Sequence, residues 1–155
     1  MVPRQTIGRG FRGTLNYVFE ERARPEIVAS TMLGQTPQEL AREFGAVRAA
    51  RPDVEKAVYH ASLNFAPEDG RLSAERLDEI AGRFLRDMGY EGTQWVAVRH
   101  QDKSYDHIHI VASRIRLDGT LVRWHRLDHL KVQEVARAIE RDLDLRQLEP
   151  RHKRL

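Results

Sequence analysis

The 155-residue chain contains no cysteine, which excludes disulfides and thiolate metal sites and fits a reducing compartment. It also lacks any apolar run near the ~20 residues that a membrane helix needs, and its N-terminus, with Arg4 and no apolar h-region, does not have the form of a secretory signal. Gly8-Arg9-Gly10 has neither the third glycine nor the following βαβ context of a dinucleotide-binding fingerprint. No internal repeat, low-complexity tract or interior linker interrupts the chain. Tyrosines number only four, few enough to be weighed one by one. These absences leave a cytoplasmic chain of single-domain size, 1–155, with a basic tail over 146–155 expected to be flexible.

What the sequence does have is charge, unevenly placed. Net charge is only +3 and mean hydropathy is −0.59. The first 24 residues nevertheless carry Arg4, Arg9, Arg12, Arg22 and Arg24 against Glu20 and Glu21. Arg99, Lys103, Arg114, Arg116, Arg123 and Arg126 outnumber the acids of their own segment, whereas the intervening helical region is acidic. Basic charge thus accompanies the N-terminus and the stretch from His100 to Val111, HQDKSYDHIHIV, an arrangement suited to a polyanion lying across both.

That stretch organises the chain. Side chains alternate in a strand, so His107 and His109 share one face while Ile108 and Ile110 share the other. His100 ends an earlier apolar strand, and the turn material between can fold it back as a third vertex. Three neutral imidazoles with open coordination positions have the pattern of a catalytic metal site. Asp102 is placed to receive the second N–H of a ligating histidine. The competing reading makes these histidines polar residues on the wet face of an edge strand.

Around this stretch, periodicity predicts strands over 2–7, 27–33, 56–66, 95–100 and 107–116, with 121–124 pairing back on the last of these through an Asp118-Gly119 turn. Helices are predicted from Phe11, with Phe11, Leu15, Val18 and Phe19 buried, and from Thr36, with Pro37 and Glu39 completing the start signal. A third follows Ser73, burying Leu77, Ile80, Phe84 and Met88 and stopping at Gly89. The last covers 127–143 and buries Leu130, Val135, Ile139 and Leu143. The sum is an α+β sandwich, its mainly antiparallel sheet covered on one face.

A metal site of this type polarises a phosphate oxygen but requires a nucleophile. Water would make a phosphoesterase with Asp102 as base. A tyrosine would make a covalent phosphotyrosine that conserves the energy of the broken bond. Tyr59 and Tyr90 read as packing residues and Tyr105 as loop surface. Tyr17 flanks the apolar stripe of a helix in the basic N-terminal segment; periodicity alone places it at the boundary of the core.

The segments Phe11 to Tyr17 (FRGTLNY), Tyr59 to Phe65 (YHASLNF) and Val98 to Val111, with its HQD and HIHIV, together resemble the relaxase or mobilisation nuclease family of conjugative and mobilisable elements, a branch of the histidine-hydrophobe-histidine endonucleases. The resemblance implies a central five-stranded, mainly antiparallel sheet with helices packed on it, in a bacterial or plasmid-borne protein. It further implies a divalent ion, Mg²⁺ or Mn²⁺, on His100, His107 and His109, with Tyr17 attacking single-stranded DNA at an origin of transfer. Asp102 would orient a ligand histidine or help accept the tyrosine proton. Arg9, Arg12, Asn64, Arg114, Arg116 and Arg123 are the expected DNA contacts, although the family often carries Ser in place of Asn64. Accessory DNA-processing proteins are further partners the resemblance allows. Larger relaxases continue into further regions, so the family reading treats this chain as a minimal protein or a nuclease domain. A DNA-binding module of the same fold without catalysis is the competing function.

Overall fold

The structure, a computed structural model, describes residues 1–148. Of the expected basic tail, residues 149–155 lie outside the described residues. The amide of Arg146, at its start, donates to Asp69 Oδ1 at 2.8 Å.

The chain runs β1 (Val2–Gly8), α1 (Phe11–Val18), β2 (Glu26–Ser30), α2 (Pro37–Arg48), β3 (Val58–Asn64), α3 (Ala74–Asp87), β4 (Thr93–His100), β5 (His107–Arg116) and α4 (Asp128–Asp142). The strands form one sheet in the order β1-β3-β5-β4-β2, and every pairing is antiparallel. The α+β class and the five-stranded sheet are as the sequence implies.

The sheet is covered on both faces, not one. Tyr59, Ala61, Leu63, Ala97, Ile108 and Ile110 pack beneath α3 and α4. Val58, Val96, Val98 and Val111 meet Phe11, Leu15 and Val18 of α1 and Leu40 and Phe44 of α2 on the other side. The alternation around the histidines suggests a polar face, but further along β4 and β5 the same face is apolar and must be buried. Phe11 and Phe44 join the two covering helices with stacked rings 4.4 Å apart.

Local signals set the helix starts. Thr36 accepts the Glu39 amide at 3.2 Å and Ser73 accepts that of Arg76 at 3.1 Å, each supplying an acceptor for an otherwise unpaired first-turn donor. At Gly89 φ is +91°, a left-handed conformation that ends the chain's helical course cheaply only without a Cβ.

Three expected elements differ. The strand over 27–33 stops at Ser30, because Ser30 Oγ takes the Met32 amide and Glu43 takes the amides of Leu33 and Gly34, diverting the donors a ladder would use. Residues 121–124 make a single bridge, Ile115 to Leu121, instead of a strand. The guanidinium groups of Arg114 and Arg116 occupy the carbonyls of Val122 and Leu121. In α4 the buried stripe is Val132, Val135, Ala136 and Ile139, and Leu130 is exposed.

Strand register places the histidines at one end of the sheet. Val2 lies opposite Asn64, Asn64 opposite His107, and His107 opposite His100. That end adjoins the end of α1, where the Val18 carbonyl accepts a hydrogen bond from His100 Nε2 at 2.7 Å.

Candidate active site

β5 is the central strand of the sheet, and His100, His107 and His109 are 6%, 5% and 8% exposed. The edge-strand reading therefore fails, since these imidazoles are buried against covered neighbours. Burying a polar ring is costly unless its nitrogens find partners. Each ring has one: His100 donates to Val18, His107 Nε2 donates to Asp102 Oδ1 at 3.0 Å, and His109 Nδ1 shares a 2.8 Å hydrogen bond with His60 Nε2. Each ring keeps a second nitrogen. Among the described residues, His100, His107 and His109 form a group whose candidate ligand atoms all lie within 4.8 Å of one another.

The electrostatics favour the neutral form of His60, His100 and His109. Burial pulls His109 down to about 3, helped by repulsion from His100, His60 and His107. Burial also lowers His100 against the opposing bond to Val18, and lowers His60, with His100 adding to it. A neutral imidazole offers a lone pair where an imidazolium offers none. At Asp102 burial works to raise the carboxyl, but the His107 bond and the nearby imidazoles outweigh it, so the group lies below the usual carboxylate range. The set is thus three imidazoles whose candidate ligand atoms face one another, with the Asp102 carboxylate behind His107. It fits a divalent cation of the transition series.

His60 is not among the metal ligands or catalytic residues expected from sequence, where it is one polar residue on an alternating strand that could hydrogen bond with His107 and His109. Its contact with His109 decides proton placement: with His60 Nε2 as acceptor, His109 carries its proton on Nδ1 and leaves the Nε2 lone pair for a cation. The available signal was parity, because His60 and His109 share a face of adjacent strands, but nothing in sequence says that those strands are adjacent.

Tyr17 stands over this group. Its ring is edge-on to both His60 and His109, with centroids 6.0 Å from each, and the residue is 51% exposed. It forms a ridge between two recesses. One, of about 740 Å³, is also lined by His107, His109, Asn64 and Tyr105. The other, of about 270 Å³, is lined by Glu20, His100 and Asp102.

The expected DNA contacts divide. Asn64 lines the larger recess. Arg12 lies exposed beside Arg42 across α1 and α2, and Arg9 is exposed with Glu55 at 3.7 Å. Arg123 is exposed beyond the far end of β5. Arg114 is buried, donating to the carbonyls of Lys56 and Val122, and Arg116 donates to those of Gly89, Glu91 and Leu121. Both serve backbone closure about 20–30 Å along β5 from His107, at the strand's rise of ~3.3 Å per residue. Their long side chains are spent on carbonyls that irregular backbone leaves without ladder partners. In this structure the guanidinium groups of both residues are engaged with backbone carbonyls.

No helix among the described residues is long and apolar enough to cross a membrane. No curated protein matches the chain significantly. Residues 17–145 match the family described as Relaxase: MobA/VirD2-like, nuclease domain. That span begins at the exposed tyrosine, takes in the whole buried histidine cluster and covers most of the chain, and on it the protein belongs to the MobA/VirD2-like relaxases, as a nuclease domain of that family.

Proposed function

We propose that this protein nicks and rejoins one strand of DNA at an origin of transfer, with Tyr17 as nucleophile. The observation that carries this reading is the half-exposed phenol of Tyr17 beside half-buried His60 and buried His109, between two recesses. A hydroxyl in that position reaches a phosphodiester drawn across the ridge.

His100, His107 and His109 would hold the cation, whose chemistry is to neutralise charge on the non-bridging oxygens of the scissile phosphate. Imidazole ligands favour Mn²⁺ over Mg²⁺ in isolation, and Mg²⁺ serves where it is abundant. Asp102, ionised and bonded to His107, orients that ring and accepts the phenolic proton. Tyr17 Oη forms a bond to phosphorus as the bond from phosphorus to the 3′-oxygen breaks. The products are a 5′-phosphotyrosine and a 3′-hydroxyl protonated from water. Because the phosphoester is conserved, attack by a 3′-hydroxyl reverses the reaction and rejoins the strand. Arg9 and Arg12 supply phosphate contacts that position the strand without reading its sequence.

The test is incubation with Mn²⁺ and labelled single-stranded oligonucleotides carrying the transfer origin, followed by a denaturing gel. A protein–DNA adduct is expected, and Tyr17→Phe abolishes it. His109→Ala is expected to abolish nicking while DNA binding persists. Cleavage without adduct would instead assign the chemistry to water, and binding without cleavage would leave a DNA-binding module.

A further inference from the structure

The proposed chemistry draws on one face of the sheet, yet the other face carries two charged residues in the positions next to the ligand histidines. Arg99 precedes His100 and Asp106 precedes His107, and they are only 2% and 8% exposed. Alternation turns Arg99 away from the imidazoles, to the side of Ile108 beneath α3. There its Nε lies 3.6 Å from Asp106 Oδ1. The pair is closed through a single residue: the Leu72 amide donates to Asp106 Oδ2 at 2.6 Å, and the Arg99 guanidinium donates to the Leu72 carbonyl. Glu26 of β2, 3.9 Å from Arg99, adds a second carboxylate on the open side.

A buried ion pair is a poor source of stability, since apolar side chains of similar volume fill such a space as well or better. What it does supply is direction, through bonds that hold particular atoms at particular separations. His109 has no need of that help, because it sits inside the ladder, between Ser62 of β3 and Val98 of β4. His100 and His107 form the last pair of the β4–β5 ladder, with the 101–106 turn beyond them. The ends of a ladder open more readily than its middle. The Asp106 carbonyl accepts the Phe65 amide at 2.9 Å, so this residue holds main chain as well as side chain at that end. A transition ion such as zinc takes imidazole nitrogens at about 2.0–2.1 Å, a tolerance that fraying strand ends do not meet.

We propose that Arg99 and Asp106 are positioning residues for the metal: from the opposite face of the sheet their ion pair, locked through Leu72, fixes the spacing of His100 and His107 and so sets the affinity of the site for a divalent transition ion. Neither residue touches the ion or the DNA. The inference rests on the three-histidine metal reading above, and its test needs neither DNA nor turnover.

The experiment is a Co²⁺ titration followed by visible absorption, with thermal melting of the same proteins free of metal. The double variant Arg99→Met with Asp106→Asn removes both charges and keeps an acceptor for the Leu72 amide, so it is expected to fold. Its Co²⁺ affinity should fall roughly 10–100-fold, the range seen when residues that support metal ligands are replaced. Its visible bands should weaken toward those of a six-coordinate, more hydrated ion. Arg99→Lys keeps the cation but has one nitrogen for both Leu72 and Asp106, and a smaller loss in the same direction is expected. Val132→Ala on α4 controls for stability alone: it lowers the melting temperature and leaves Co²⁺ affinity within about twofold, as a distant site should. If both Arg99 variants bind Co²⁺ as the unsubstituted protein does, the positioning role is overturned and the metal site stands. The same follows if Val132→Ala loses as much affinity at an equal loss of melting temperature. If the unsubstituted protein binds no Co²⁺, the metal reading falls and the role built on it falls too, so the two failures are distinguishable.

Discussion

Two histidines two residues apart were certain to share a face once 107–116 became a strand, and they do. What they bond to follows a different logic. Asp102 is two residues from His100 in sequence, yet its carboxylate takes His107, because the intervening turn folds back before β5 begins. His109 is held from another strand altogether, by His60. These contacts have a consequence for stability that can be signed. Burial depresses His60, His100 and His109 in the folded chain, so below the ordinary histidine value of about 6.5 the unfolded chain binds more protons than the folded one. The metal-free protein is therefore expected to hold full stability from this source above about pH 6.5. It loses that stability as pH falls, with the His109 contribution draining down to about 3. Denaturant midpoints at pH 7 and pH 5 measure the slope, which His60→Gln should make shallower by removing one titrating ring and one source of repulsion. A slope indifferent to that substitution would show that His60 takes no part in the linkage.

Among the elements, α4 shows how far periodicity reaches. Leu130 and Val132 are both apolar and near the helix start, and the sequence expectation places Leu130 in the buried stripe. Nine residues separate Leu130 from Ile139, which at about 100° per residue puts them on opposite sides of the helix. Val132, seven before Ile139, shares its face. The helix follows the stripe that fits the α3 side of the sheet, and Leu130 is left 55% exposed while Val132 is 3% exposed. Val132→Ala should cost roughly 1–3 kcal/mol in chemical denaturation, from lost burial and an imperfectly closed cavity. Leu130→Ala should stay within about 0.5 kcal/mol. Reversal of that order would mean that α4 packs through its other face. The bounds of α2 and α3, in contrast, were readable because Thr36, Pro37, Ser73 and Gly89 act on backbone groups a few residues away.

At the scale of the whole molecule, one buried charge cluster ties the first residue to the last helix. The Met1 α-amino group pairs with Glu140, both fully buried, and Arg137 binds the same carboxylate and the Met1 carbonyl. The cluster lies beside β1, whose edge forms part of the larger recess. Glu140→Ala should destabilise the protein by about 3–5 kcal/mol, because two cationic groups lose the anion that offsets their desolvation. Denaturant unfolding measures it, and a loss under about 1 kcal/mol would show that water reaches the cluster freely. No periodicity announces this contact: Glu140 falls among polar residues of an amphipathic helix, and its partner is more than a hundred residues away.

The amino-acid sequence by itself determined the strands and helices, most of their ends, the shared face of His107 and His109, and the family likeness that joins Tyr17 to them. All of these depend on interactions within a few residues or on residue types in fixed order. Tertiary structure alone decided that β5 is central, that both faces of the sheet are covered, that His60 meets His109, and that Arg114 and Arg116 donate to backbone carbonyls. Each of those depends on which strand lies beside which. The order β1-β3-β5-β4-β2 is fixed only when apolar surfaces from distant parts of the chain are buried together.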